Sequence, residues 1–192
     1  FGSARTPAPE AVEAAAANAR TADDDAAVAR MRARAVYYDM AREFSRIASE
    51  RGGALEPRNR WRNNVIATGG GPGIMEAANR GAADVDAPTI GFNIQLPREQ
   101  RPNPYITPEL AFRFHYFAMR KMHLAMRANA LAVFPGGFGT FDELFEILTL
   151  QQTGKAPPMP VVLFGRDYWT KVINFQAMLE ESVISERDLD LF

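Results

Sequence analysis

The chain has 192 residues, 47% of them hydrophobic and 23% charged, with a formal net charge of −1. That balance fits an ordinary soluble α/β protein with a sizeable core and argues against a large nucleic-acid footprint, which shows as a strongly basic domain. With no cysteine there is no disulfide framework and no thiolate nucleophile or metal site. No apolar run approaches the roughly 18 residues of a membrane span, and the cytoplasm is the expected location.

Residues 9–20 and 24–51 are rich in helix formers. In the second stretch Val36, Met40, Phe44, Ile47 and Ala48 recur at helical spacing and predict one apolar stripe, closed by Gly52-Gly53 as a C-cap. The basic stretch Arg58–Arg62 reads as a solvated loop. Asn64–Thr68 predicts a buried strand, followed by GGGPGIM and a helix over Met75–Ala83. Thr89–Leu96 predicts a second strand, ending in a proline-rich loop at 97–108. A long helix is expected over 109–129, then a strand at Ala130–Phe134, the turn PGGFG and an amphipathic helix. Strand Val161–Phe164 and a helix over 167–181 complete the pattern. Apolar strands alternating with helices predict a single Rossmann-like α/β domain over residues 1–192, a parallel sheet with helices on both faces.

Open sheets of this kind bind ligands at the carboxyl ends of their strands. Two glycine loops fall there, Gly69–Gly73 and Gly136–Gly139, and FGSAR at the start could supply a third. Neither glycine loop has the G-x-G-x-x-G spacing of a dinucleotide fingerprint. The one Gly-Lys, Gly154-Lys155, is followed by Ala156 and not by the Ser or Thr of a P-loop. Two strand-to-helix glycine turns together favour an anion site.

Glu143 has two readings. Thr140-Phe141-Asp142-Glu143 has the form of a capping box, with both acids in the first helical turn. Alternatively, Glu143 acts on something the glycines hold. Arg113, Arg120 and Arg127, seven apart on the expected helix, form one stripe that must meet carboxylates or an anion. His115 and His123 read as packing or hydrogen-bonding residues, and no metal site is predicted.

Met119-Arg120-Lys121, the stretch Pro135–Glu143 and GGGPGIMEAANRGA together resemble the "lonely guy" (LOG) family, whose signature is PGGxGTxxE preceded by an Arg-Lys pair. The resemblance implies hydrolysis of the N-glycosidic bond of a nucleoside 5′-monophosphate, AMP or a cytokinin riboside monophosphate, without a cofactor. It implies Arg120 and Glu143 as the catalytic pair. Gly69, Gly70, Gly71, Met119, Lys121, Gly136, Gly137, Gly139, Thr140 and Asp142 would line the substrate site. It also implies a homodimer, and a first strand lying before Phe1. The longer N-terminal helical region and the 58–62 and 97–108 stretches resemble a larger bacterial branch, for which ordinary nucleotides are as plausible as cytokinin precursors. A non-catalytic nucleotide- or molybdenum-cofactor-binding carrier is the competing expectation. The label "lysine decarboxylase" attached to relatives finds no support in Lys121, Lys155 or Lys171.

Overall fold

The computed structural model describes residues 1–95 and 101–192, so Leu96 and Pro97 of the expected strand end and loop lie outside the described residues. Helix α1 (Pro9–Asn18) packs on α2 (Ala22–Gly52). A capping box starts α2: Thr21 Oγ1 accepts from the Asp24 amide at 3.2 Å, and the Asp24 carboxylate accepts from the Thr21 amide at 2.9 Å. Gly53, at φ 92°, caps the other end.

The buried face of α2 is not the predicted stripe. Val36 and Met40 are 50% and 45% exposed, whereas Tyr38, Ala41, Ser45 and Ser49 are buried. The reason is close approach. Helix α3 (Ile74–Ala83) lies so near that a Cβ on Gly81 would run into the Arg42 backbone. Ala41, Ser45 and Ser49 fit at this close approach, Tyr38 packs against Ile74 and Ala77, and Val36 and Met40 are turned outward.

Strands β1 (Ile66–Thr68), β2 (Thr89–Ile94) and β3 (Ala111–Phe114) form one parallel sheet, and β4 (Leu131–Val133) and β5 (Val161–Leu163) a second. The α/β class and the parallel pairing are as predicted, but the hydrogen-bonded ladder is in two parts. Beside β4, on the edge away from β5, Phe1 takes a parallel place: its amine donates to Ala132 O at 2.7 Å and its carbonyl accepts from Phe134 N at 2.9 Å.

β4 separates two cores. Leu131 and Val133 pack with Leu144, Ile147 and Leu148 of α5 (Phe138–Gln152) and Trp169 of α6 (Arg166–Val172). Ala132 faces the other way with Phe134, toward Tyr38, Ala41 and Ile74. This alternation along one strand covers both faces with helices.

The expected helix over 109–129 is replaced by three pieces: a 3-10 turn at Pro108–Leu110, strand β3, and helix α4 (Phe117–Ala125). Within the first half, Phe112 and Phe114 alternate with Arg113, a period of two, and β3 pairs with β2 so that both rings meet Phe92, 5.5 and 5.8 Å between centroids. Cross-strand aromatic packing outweighs helical spacing here. The arginine stripe dissolves with the long helix, because Arg113 is in a strand, Arg120 in α4, and Arg127 beyond its end. His123 packs against the Phe114 and Phe92 rings. The last predicted helix is two, α6 and α7 (Phe175–Glu180).

Candidate active site

Helix α5 begins at Phe138, three residues earlier than a capping box on Thr140 requires. Gly137 is its N-cap, and no side chain caps it. Thr140 is therefore inside the first turn. It is buried, with its hydroxyl in the space a Gly136 side chain would need. Asp142 and Glu143 fall in the second turn, which ends the capping reading of Glu143. Among the described residues, apart from its chain neighbours and the helix's own backbone, no atom comes within 4 Å of a Cβ built on Gly137 or Gly139, and Phe138 between them is 97% exposed. The free amides of this helix end thus face an open surface.

Glu143 instead meets Arg120. Arg120 Nη2 donates to its carboxylate at 2.9 Å, and both side chains are mostly buried, at 12% and 13% exposure. Burial pushes the Glu143 carboxyl above the ordinary glutamate value, against the pull of the Arg120 charge. Arg120 Nε is buried without a partner among the described residues, and its guanidinium lies 5.4 Å from the Phe117 ring centroid. Lys121, one residue on, reaches Asp142 and Glu146, each at 2.9 Å. Burial lowers the Lys121 pKa, but the hydrogen bonds its ammonium donates to these two carboxylates outweigh that and leave it raised. Lys121 is a strut between α4 and α5. Met119 is 46% exposed.

The three loops converge. Ser3 N donates to Pro135 O and Ser3 O accepts from Ile74 N, both at 3.1 Å, so the FGSAR loop joins the two glycine turns. Gly69 lies against the ion pair: a Cβ there would stand 3.1 Å from Arg120 Nη1 and 2.9 Å from Met75 Sδ. Gly69, Arg120 and Glu143 are brought together, with Gly136 and Thr140 at the head of the same α5.

Several residues of this region were not singled out from the sequence. Tyr168 donates its hydroxyl to Gly136 O. Asn79, wholly buried, accepts from Thr68 Oγ1 at 2.7 Å and from Asn103 Nδ2 at 2.8 Å. The one sequence signal for Asn79 is an asparagine within the small-residue helical stretch EAANRGA.

Glycine turns at strand ends, with a mostly buried Arg–Glu pair beside one of them, are brought together in this α/β fold. The sequence profile of the family described as "possible lysine decarboxylase" matches residues 75–192. The chain belongs to this family, the LOG family. It is similar to the cytokinin riboside 5′-monophosphate phosphoribohydrolase LOG3 of Arabidopsis thaliana, 29% identical over 64% of this chain and 57% of that protein. It is also similar to the phosphoribohydrolase LOG of Oryza sativa subsp. japonica, 29% identical over 80% of this chain and 59% of that protein. The chain thus spans less than two thirds of these curated relatives. Its fold is shared with a molybdenum cofactor binding protein from the phototrophic bacterium Rippkaea orientalis, with a TM-score of 0.51, 19% identity and 78% of each chain covered. Lys155 and Lys171 are exposed and Lys121 is committed to two carboxylates, so no lysine is placed for the chemistry in the family's label.

Proposed function

We propose that this chain hydrolyses the N-glycosidic bond of a nucleoside 5′-monophosphate to free base and ribose 5-phosphate. The observation that carries the reading is the mostly buried Arg120–Glu143 pair touching the Gly69 turn. As the bond from C1′ to the base nitrogen breaks, positive charge develops on the ribose. A fixed carboxylate beside it stabilises that charge or takes a proton from the attacking water, whose oxygen bonds to C1′. Arg120 holds Glu143 in place and offers its unpartnered Nε–H to the phosphate or to the departing base. The phosphate is assigned to the amides at the head of α5, where Gly137 and Gly139 leave the backbone bare. Gly70, Gly71, Gly136 and Thr140 shape the walls. In this reading Asp142 and Lys121 brace α4 against α5 from outside the pocket.

The test is a panel of nucleoside monophosphates, cytokinin nucleotides included, assayed for ribose 5-phosphate. Release from none of them overturns the proposal. Retained nucleotide binding without release would favour a carrier, the reading suggested by the shared fold of the molybdenum-cofactor protein. Residues 1–192 are taken as one domain. We assign the homodimer contact to the apolar surface of Phe117, Met119, Met122 and Met126, which are 44–59% exposed. Sedimentation of the protein and of a Met122→Glu variant tests that assignment.

A further inference from the structure

The proline-rich stretch after β2 is fastened at almost every residue from 103 to 107. Tyr105 lies under the Arg80 guanidinium, 5.5 Å from centroid to Cζ. Ile106 is buried in the space left by Gly91, which has no side chain. Thr107 Oγ1 accepts from Thr89 N at 3.0 Å. The most heavily used residue is Asn103, 7% exposed. Its amide donates to Gly70 O at 2.9 Å. Its Nδ2 donates to Gly71 O at 3.0 Å and to Asn79 Oδ1 at 2.8 Å, and its Oδ1 accepts from Tyr105 N at 3.2 Å. Both side-chain donors of the carboxamide are used, and its oxygen is engaged.

Two of these bonds end on the glycine turn itself. Gly70 has φ 71° and its amide is held by Thr68 Oγ1 at 2.9 Å. The turn is thus gripped from the strand side by Thr68 and from the loop side by Asn103, with Asn79 joining the two. Its first residue, Gly69, is the one that abuts Arg120 Nη1. A turn free to shift would press on the guanidinium or withdraw from it, and Arg120 in turn holds Glu143.

We propose that Asn103 is a positioning residue for the reaction assigned above. It fixes the Gly69–Gly71 turn, and through Gly69 it fixes the place of the Arg120–Glu143 pair. Asn103 itself touches no reacting atom. The inference rests on the proposed hydrolase for its kinetic consequence, while its structural half stands apart from any activity.

The experiment compares wild type with Asn103→Ala and, as a control in the same loop, Thr107→Val. Both variants lose a partly or wholly buried hydrogen-bonding side chain, but only the first removes a bond to the turn, that of Nδ2 to Gly71 O. Amide hydrogen exchange over residues 68–74, without ligand, should quicken about tenfold or more in Asn103→Ala, the scale of a lost buried hydrogen bond. It should stay at the wild-type rate in Thr107→Val and throughout α5 in both. With substrate, kcat of Asn103→Ala should fall about tenfold to a hundredfold while KM stays within about threefold, as misplacement of a catalytic group predicts. Thr107→Val should keep its kcat. Where alanine prevents folding, Asn103→Ser retains one donor and carries the same measurements. Unchanged exchange in the turn overturns the proposal, and so does wild-type kcat in a folded Asn103 variant. If the wild-type protein cleaves no nucleotide, the hydrolase reading falls, and the exchange rates alone decide the role of Asn103.

Discussion

The two glycine turns look alike as sequence and are built in opposite ways. Gly69–Gly71 is buried, its carbonyls and one amide taken by Asn103 and Thr68, and a Cβ on Gly70 would strike the Asn93 carboxamide. At Gly137 and Gly139 the space around each Cα is open, and the adjoining Phe138 is almost fully exposed. One turn is a rigid wall and the other an exposed cradle. Glycine is needed in the first because nothing larger fits, whereas in the second the proposed function calls for it so that a phosphate can reach the backbone.

The largest expected effect is at the carboxylate lying between them. Glu143→Gln keeps the shape and should reduce ribose 5-phosphate release by about 10²–10⁴-fold, the range for loss of a positioned acid or base. Nucleotide binding, read as a ligand-dependent rise in melting temperature, should survive.

Substitution of the glycines separates the turns directly. Gly70→Ala combines a left-handed backbone with a clash and should cost about 2–4 kcal/mol in denaturant unfolding. Gly139→Ala, in open space and within α5, should be neutral or stabilise by up to about 1 kcal/mol, yet weaken nucleotide binding. Equal stability losses at the two positions would erase the distinction between wall and cradle.

The raised pKa of Glu143 gives a pH test. Activity that needs the carboxylate should fall as pH drops through a midpoint above the ordinary glutamate value, and the Glu143 carboxyl followed by NMR should titrate with the same midpoint. In Arg120→Met that midpoint should move higher still, since the Arg120 charge pulls it down. For stability the sign is opposite to that of a paired surface acid. A carboxyl whose folded-state pKa is raised contributes stability that is complete below its unfolded pKa and is lost as pH rises through the folded value.

The smallest effect is expected at Lys121. Its partners Asp142 and Glu146 are 59% and 38% exposed, so Lys121→Met should lower stability by no more than about 1 kcal/mol. Nucleotide affinity should be almost unchanged, because the ammonium already serves two carboxylates. A large loss of affinity would return Lys121 to the pocket lining.

Local chemistry made part of this legible beforehand. The strand-to-helix glycine turns, the capped end of α2, and the parallel α/β class follow from residue types a few positions apart. The pairing of Arg120 with Glu143 came from a resemblance, and spacing could not have supplied it. Several readings failed for stated reasons. Phe112 and Phe114 fit a helical pattern until the Phe92 ring on β2 is set beside them, and Thr140 fits a cap until Gly137 starts the helix earlier.

By itself the sequence determined the class of fold, the two glycine turns and the carboxylate that follows the second. Tertiary structure alone decided which turn is braced, what Glu143 faces and that Asn103 is buried at the turn. Those outcomes depend on contacts between residues 23 to 33 positions apart, whereas turn and helix preferences are settled within a few residues of chain.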